Sequence, residues 1–184
     1  MVTSERAAVF LDRDGVLNRA VVRDGRPFPP QDLESVEILP GVPEAIRKLK
    51  AAGFVTVMVT NQPDVVKGTQ RRDVVEAINK YVSETLGIDD VRVCWCLEGD
   101  DCDCYKPKPG MILEATAELS LNLSKSYMVG DRWRDIGAAH NAGCKAIFIE
   151  YGYEEANTFK PEWVVRNLSE AADIIVKYND CGED

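Results

Sequence analysis

Two aspartates separated by one residue, Asp12 and Asp14, are the first candidates for chemistry in this sequence. They directly follow a short apolar segment that predicts a buried strand, so both side chains point to the same side of the strand end. Gly15 lets the backbone turn away and leaves both carboxylates accessible. Because two carboxylates this close repel one another, the pair predicts a bound cation, and an all-oxygen ligand set favours Mg²⁺.

Polar residues that follow other predicted strands would complete a site for phosphate-ester chemistry. Asp131 supplies a third carboxylate, while Lys106 and the Thr60 hydroxyl could hold the phosphate oxygens as charge spreads over them. In this interpretation Asp12 attacks phosphorus and forms an aspartyl-phosphate. Asp14 protonates the leaving oxygen and then accepts a proton from the hydrolytic water. The alternative is a solvated acidic strand end, which does not explain why all these segments stand at strand ends.

Four of the six cysteines lie close together, at Cys94, Cys96, Cys102 and Cys104. Four thiolates on a turn-rich segment suit a closed, tetrahedral and therefore structural Zn²⁺ site. Disulfide bonds or four free thiols are the alternatives, although a bond within C-x-C is strained. We predict a zinc-binding loop over residues 94–104. Tyr105 and Lys106 follow it directly, so the metal would position both of them.

Short apolar segments that alternate with amphipathic helices must position these residues. Strands are predicted at 7–11, 54–59, 91–94, 126–129, 146–149 and 163–165, and helices at 42–52, 71–86, 109–119, 133–142 and 168–178. This alternation predicts an α/β fold with a Rossmann-like, doubly wound parallel sheet and helices on both faces. Residues 19–36 are predicted as a long loop or small flap, and residues 1–184 as a single domain.

Composition excludes several classes of partner. The chain of 184 residues has 22 Lys and Arg against 31 Asp and Glu, which gives a net charge of −9. Such a chain is a poor ligand for nucleic acids or anionic membranes. The sequence has no apolar run long enough for a membrane span and no signal-peptide pattern at its N-terminus. We therefore expect a cytoplasmic monomer that acts on a small phosphorylated substrate.

The chemical segments resemble the motifs of the haloacid dehalogenase superfamily of phosphatases, and the resemblance covers residues 9–175. The strings DRDGVLN at 12–18, TNQ at 60–62 and CDCYKPKPGM at 102–111 are most similar to its small capless members, which act on heptose 1,7-bisphosphate or histidinol phosphate. The resemblance implies Asp12 as nucleophile and Asp14 as acid and base. It implies Mg²⁺ held by the carboxylates of Asp12 and Asp131 and by the Asp14 backbone carbonyl. It also implies contacts with phosphate or substrate for Arg13, Thr60, Asn61, Gln62, Tyr105, Lys106 and Arg132.

Two positions depart from the family's pattern. Cys96 stands where the family usually has a histidine, which implies an all-cysteine metal site. Tyr105 stands where the family typically has an arginine that helps to recognise the substrate, and a phenol cannot clamp a second phosphate bidentately. We therefore expect heptose 1,7-bisphosphate to be preferred by a reduced margin, with histidinol phosphate or another small ester as the alternative. Candidates for a replacement cation are Lys108, Arg132, Arg134, Arg19 and Arg23.

Two other classes of protein share some of these features. A signalling receiver domain also gathers carboxylates and Mg²⁺ at strand ends, but its acceptor aspartate follows a middle strand and it lacks a metal loop. A catalytically inactive, zinc-stabilised binding module would have no need of Asp12, Asp14, Lys106 and Asp131 together. The residues therefore favour an enzyme over either alternative.

Overall fold

A six-stranded parallel sheet forms the centre of the structure, a computed structural model that describes residues 6–155 and 158–180. The strands in the described part are β1 (Ala8–Leu11), β2 (Val21–Arg23), β3 (Arg26–Phe28), β4 (Val55–Asn61), β5 (Asp90–Cys94), β6 (Tyr127–Gly130), β7 (Lys145–Ile149) and β8 (Trp163–Val165). Across the sheet the order is β5-β4-β1-β6-β7-β8, and each neighbouring pair is parallel. The predicted α/β class is confirmed.

Helices cover both faces of this sheet. They are α1 (Val42–Ala51), α2 (Arg72–Leu86), α3 (Gly110–Leu119), α4 (Trp133–Ala142) and α5 (Leu168–Asp180), with a short 3₁₀ helix at Leu123–Lys125. Helices α1, α2 and α5 pack on one face, and α3 and α4 pack on the other. Strand β1 serves both cores, because Val9 and Leu11 point to the first face while Ala8 and Phe10 point to the second. This alternation confirms the doubly wound architecture.

The sheet order places a crevice beside β1. From β1 the chain passes to β4 and β5 on one side, and later to β6, β7 and β8 on the other. Ligands in open α/β sheets bind at such a switch point, outside the carboxyl ends of the strands. Among the described residues, no helix combines the length and the apolar character that a membrane crossing would need.

Strand β4 runs two residues further than predicted. Its ladder with β5 continues through Thr60, paired with Val93, and Asn61, paired with Cys94. The neighbouring strand supplies hydrogen-bond partners there, so the polar side chains do not end the strand. Thr60 and Asn61 are therefore held by the sheet itself.

The segment predicted as a loop or flap at 19–36 contains an antiparallel hairpin of β2 and β3. Asp24 and Gly25 form its turn with φ values of 48° and 70°, as a two-residue hairpin turn requires. The backbone N–H of Glu154 donates to the Gly25 carbonyl at 3.1 Å, which fixes the turn against the loop after β7. The hairpin is thus an anchored element beside the carboxyl edge of the sheet.

Candidate active site

The carboxyl ends of the central strands bring the predicted residues together around a cavity of about 300 Å³. Asp12 follows β1, Thr60 lies at the end of β4, and Arg132 follows β6. Tyr105 and Lys106 reach the same cavity from the loop that follows β5, and Asp14, Asn61 and Gln62 also line it. Asp131 lies buried beside these residues. Of the predicted contacts with phosphate or substrate, Arg13 alone does not line the cavity.

A buried ion-pair network holds Asp12. The Lys106 ammonium donates to Asp12 Oδ1 at 2.9 Å, to Asp135 Oδ1 at 2.6 Å and to the Val59 carbonyl at 2.9 Å. Burial raises the pKa of Asp12 to about 6, although the positive charge of Lys106 opposes the shift. Burial alone would lower the pKa of Lys106, but Asp12 and Asp135 raise it above its ordinary value. Lys106 is therefore a permanent cation beside the candidate nucleophile.

Asp135 is a site residue that the sequence analysis did not assign. It lies in the first turn of α4, where its Oδ2 accepts the Arg132 backbone N–H at 3.0 Å and caps the helix. Its other oxygen accepts the Lys106 ammonium. The signal was the spacing of four residues from Asp131 immediately after a strand, which brings both carboxylates to the same end of β6.

Asp131 has the properties of a metal ligand. Both of its carboxylate oxygens are buried and make no hydrogen bond within 3.5 Å among the described residues, although the Tyr153 hydroxyl lies near enough to stabilise the charge. Burial, and then the charges of Asp12 and Asp135, raise the pKa of Asp131 well above its ordinary value. Carboxylate oxygens of these three residues lie within 4.8 Å of one another. This all-oxygen set fits a hard cation such as Mg²⁺, which would neutralise the excess negative charge.

Gly15 allows the close approach on which this arrangement depends. Its φ of 89° lies in the left-handed region, and a Cβ at this position would collide with the Asp131 carboxylate. The Tyr151 hydroxyl donates to the Gly15 carbonyl at 2.9 Å and fixes the turn from the outside. The glycine after Asp14 therefore both turns the chain and makes room for the third carboxylate.

Arg13 was predicted to contact phosphate or substrate, and the structure places it elsewhere. Its side chain is fully buried and donates to Asn79 Oδ1 on α2 at 2.6 Å and to Asp14 Oδ2 at 2.8 Å. The physical reason is the strand period of two, which turns Arg13 away from the cavity that Asp12 and Asp14 face. Arg13 supports the Asp14 carboxylate from behind.

Asp14 also accepts hydrogen bonds from two amide side chains. Asn18 Nδ2 donates to its Oδ1 at 3.0 Å, and Gln62 Nε2 donates to its Oδ2 at 3.2 Å. Gln62 Nε2 also donates to the Thr60 hydroxyl at 2.9 Å. These contacts link the candidate acid and base to the end of β4. Thr60 and Gln62 line the cavity, as predicted, and their contact with phosphate stays a prediction.

Asn61 connects β4 to the loop that carries Lys106. The Lys106 backbone N–H donates to Asn61 Oδ1 at 3.1 Å, and Asn61 Nδ2 donates to the Lys106 carbonyl at 3.3 Å. This reciprocal pairing fixes the backbone at Lys106 directly above the sheet. The side chain of Asn61 thus positions Lys106, a role that sequence analysis did not predict.

The four clustered cysteines come together in space. Their sulfur atoms lie within 4.8 Å of one another, and Cys94 and Cys104 are joined by a disulfide bond while Cys96 and Cys102 are free. Four soft sulfur donors at this separation fit a tetrahedral zinc site, provided that all of them are thiolates. Lys108 donates to the Asp100 and Cys102 carbonyls and closes the loop.

Charged side chains surround the mouth of the cavity. Arg132 pairs with Glu155, and Arg134 pairs with Glu98 at 2.8 Å while its guanidinium lies 5.5 Å from the Tyr105 ring centre.

Of the five candidates for a replacement cation, only these two arginines line the cavity. Lys108 is held by the cysteine loop, Arg19 pairs with Glu37 at 2.8 Å, and Arg23 lies over Phe28. Arg26, from the hairpin, also lines the cavity and was not among the candidates.

Comparisons with known proteins identify the family of this chain. The model of the haloacid dehalogenase-like hydrolase family matches residues 29–143. The D-glycero-D-manno-heptose-1,7-bisphosphate 7-phosphatase of Thermosynechococcus vestitus is 33% identical over 193 residues, which cover 92% of this chain and 95% of the relative. The D-glycero-beta-D-manno-heptose-1,7-bisphosphate 7-phosphatase of Escherichia coli K12 is 32% identical, with coverage of 92% and 94%.

A solved structure is similar over nearly the same length. The D,D-heptose 1,7-bisphosphate phosphatase of B. bronchiseptica, crystallised with magnesium and phosphate, superposes with a TM-score of 0.75 at 26% identity. The superposition covers 94% of this chain and 99% of that protein. The architecture is therefore shared with relatives of nearly the same extent.

Proposed function

This chain belongs to the haloacid dehalogenase-like hydrolases and is a phosphatase of that family, and we propose that it removes the phosphate on C7 of D-glycero-D-manno-heptose 1,7-bisphosphate. The observation that carries the proposal is a group of buried charged residues: Asp12, Lys106 and Asp135 line a cavity sized for a small substrate, and Asp131 lies buried beside Asp12 and Asp135. Relatives that bear this activity in their names align with more than nine-tenths of the chain.

In the first step an oxygen of Asp12 attacks phosphorus and the bond to the sugar oxygen breaks. Lys106 keeps Asp12 oriented and offers its charge to the transferring phosphoryl group, while Thr60 donates a hydrogen bond to it. Asp14 gives its proton to the departing sugar oxygen. Mg²⁺, when held by Asp12, Asp131 and the Asp14 carbonyl, would supply positive charge that keeps Asp12 ionised and the phosphate oxygens neutralised.

In the second step water cleaves the aspartyl-phosphate. Asp14, now ionised, accepts a proton from the water while the water oxygen bonds to phosphorus. The bond between phosphorus and the Asp12 oxygen breaks, which regenerates the Asp12 carboxylate and releases inorganic phosphate. The bonds from Arg13, Asn18 and Gln62 fix the orientation of the Asp14 carboxyl group at the cavity. One pair of aspartates thus serves both half-reactions in this mechanism.

We also propose that Cys94, Cys96, Cys102 and Cys104 hold a structural Zn²⁺ and that residues 1–184 form one phosphatase domain. The clustered sulfur atoms support the zinc site, and the disulfide between Cys94 and Cys104 is the oxidised alternative of the same cluster. Elemental analysis of protein purified under reducing conditions should find one zinc per chain. Absence of zinc together with two free thiols in the cluster would favour the disulfide.

The net charge of −9 supports a cytoplasmic monomer whose partner is a small molecule, with neither nucleic acid nor membrane among its ligands. Size-exclusion chromatography with light scattering tests the oligomeric part of this proposal. A stable dimer would contradict it.

Histidinol phosphate is the second candidate substrate, because the carboxylates of Asp64 and Glu98 line the cavity and could receive its ammonium group. A panel of kcat/KM values for heptose 1,7-bisphosphate, hexose bisphosphates and histidinol phosphate separates the two. We expect the heptose bisphosphate to be the best substrate, and Tyr105→Arg to raise its advantage over monophosphates by about tenfold. A tenfold advantage for histidinol phosphate would reverse the assignment.

A further inference from the structure

We propose that Arg26 on the β2–β3 hairpin, assisted by Lys67 from the lining of the same cavity, binds a second anionic group of the substrate. The two residues would make the enzyme prefer small diphosphorylated compounds to monophosphates. This inference rests on the proposed function, because it takes the reacting phosphate to be bound at Asp12. It identifies which of the mouth cations receives the other phosphate.

Arg26 is the mouth cation that is available. Four other cations of the described residues line the same cavity, and each has an acidic partner. Lys106 pairs with Asp12 and Asp135 at its base, and at the mouth the pairs are Arg132 with Glu155, Arg134 with Glu98 and Lys67 with Asp64. Arg26 is exposed and has neither an ion pair nor a side-chain hydrogen bond among the described residues. An unpaired guanidinium at the mouth of this cavity is suited to a bidentate contact with phosphate.

The hairpin fixes the backbone of Arg26, while the Arg26 side chain stays without a partner among the described residues. In the antiparallel register of the hairpin, Arg26 lies opposite Arg23, next to the turn. A hydrogen bond from the Glu154 backbone N–H to the Gly25 carbonyl anchors that turn. Beyond the other end of the hairpin, Gln70 Nε2 donates to the Gln31 carbonyl at 3.0 Å. The backbone of Arg26 is thus fixed beside the cavity, so a bound anion must order only one side chain.

Lys67 stands on the loop after β4 and lines the same mouth. Its ion pair with Asp64, at 3.1 Å, is a surface contact in which the Lys67 side chain is 52% exposed. Exposed pairs of this kind are weak, so Lys67 can exchange its carboxylate for a phosphate. Tyr105 also lines this cavity and adds a phenol hydroxyl. The proposed subsite thus contains two cations, Arg26 and Lys67, and one neutral hydrogen-bond donor.

Arg23 provides a matched control. It lies opposite Arg26 in the hairpin register and is also exposed. Its guanidinium lies 5.8 Å from the centre of the Phe28 ring, and Arg23 does not line the cavity. Arg23→Gln therefore removes the same charge from the same hairpin without touching the proposed subsite.

The test compares kcat/KM for heptose 1,7-bisphosphate with kcat/KM for heptose 7-phosphate, which keeps only the reacting group. We expect the ratio of bisphosphate to monophosphate to fall about tenfold in Arg26→Gln, mainly through KM, and to keep its wild-type value in Arg23→Gln. Arg26→Lys should give an intermediate ratio, because it retains the charge but not the fork. Rising salt should reduce the wild-type ratio more than that of Arg26→Gln.

An unchanged ratio in Arg26→Gln, or an equal fall in Arg23→Gln, would overturn the inference. A wild-type enzyme that does not distinguish bisphosphates from monophosphates would overturn it as well. Glucose 1,6-bisphosphate and glucose 6-phosphate form a second pair that separates this inference from the proposed function. If the heptose compound is no better than these hexoses, the proposed substrate is wrong, while the hexose ratio in Arg26→Gln still decides the role of Arg26.

Discussion

Replacing Asp131 with asparagine should stabilise the metal-free protein while it abolishes the response to Mg²⁺. Asp12, Asp131 and Asp135 place three carboxylates in one buried cluster, and Lys106 supplies a single positive charge there. Both Asp131 oxygens make no hydrogen bond within 3.5 Å among the described residues, so in the absence of a cation their desolvation is offset only in part, by the Tyr153 hydroxyl and the Arg132 charge. The substitution Asp131→Asn is isosteric, so it keeps nearly the same shape while it removes the charge and replaces one acceptor oxygen with an amide NH₂.

The size of the effect follows from these contacts. A buried charge beside Asp12 and Asp135 costs more than a neutral polar group at the same place, so Asp131→Asn should raise the free energy of unfolding in EDTA by about 1–3 kcal/mol. Mg²⁺ at one hundred times its Kd should stabilise the wild-type protein by about 2.7 kcal/mol and leave the variant unchanged. Addition of metal should therefore shift the stability difference between the two proteins by about 2.7 kcal/mol in favour of the wild type.

The pH dependence has a defined sign. Burial raises the pKa of Asp131 above its ordinary value of 3.8, so the folded protein binds this proton more tightly than the unfolded chain. The destabilisation by Asp131 is full above the raised pKa and disappears as the pH falls below 3.8. In EDTA the advantage of Asp131→Asn should thus shrink between pH 7.5 and pH 5, by about 1 kcal/mol or more.

Urea unfolding followed by circular dichroism, with EDTA or with saturating Mg²⁺, measures all these quantities. Glu34→Gln is the control, because Glu34 is exposed and has no ion pair among the described residues, yet its loss changes the net charge equally. If Asp131→Asn is less stable than the wild type in EDTA, or still gains stability from Mg²⁺, the assignment of Asp131 as a metal ligand is refuted.

Three further substitutions test other parts of the site. Asp12→Asn should lower kcat by about 10³ or more, since no nucleophile remains; phosphate release measures it, and full activity would contradict the role of Asp12. Cys102→Ser should lower zinc content, melting temperature and turnover together, whereas Cys144→Ala, which removes a buried thiol outside the cluster, should keep the zinc. Gly15→Ala should cost about 1–3 kcal/mol and weaken Mg²⁺ binding by calorimetry, because a left-handed φ and the Asp131 carboxylate both oppose a Cβ there; unaltered affinity would contradict this.

The pattern of apolar residues and the positions of the glycines made the main helices and strands predictable. The continuous apolar segment before Asp12 and the glycines after the helices mark strands and helix ends that the structure contains within a few residues. Because the carboxyl ends of parallel strands share one edge, the convergence of Asp12, Thr60 and Asp131 also followed from the order of elements. The end of β4 could not be predicted in this way, because the length of β4 depends on hydrogen bonds to β5 that no local pattern reveals.

The contacts between side chains were less accessible to sequence analysis. Arg13 could have been assigned to the interior, because the same strand period that pairs Asp12 with Asp14 turns it away. The hairpin also had a signal, the Asp24-Gly25 pair between short β-prone segments. The reciprocal bonds of Asn61 with the Lys106 backbone had none, since they depend on how a distant loop lies over the sheet.

Trapping of the phosphoenzyme tests the central claim most directly. With p-nitrophenyl phosphate the leaving group needs no proton, so Asp14→Asn should still transfer phosphate to Asp12 and then stall, because the base for hydrolysis is absent. In the presence of Mg²⁺ we expect a burst of one nitrophenolate per chain and one phosphoryl group on the peptide that contains Asp12, with neither in the double variant that also carries Asp12→Asn. Label on another residue, or nitrophenolate release by the double variant at the rate of Asp14→Asn, would contradict the mechanism.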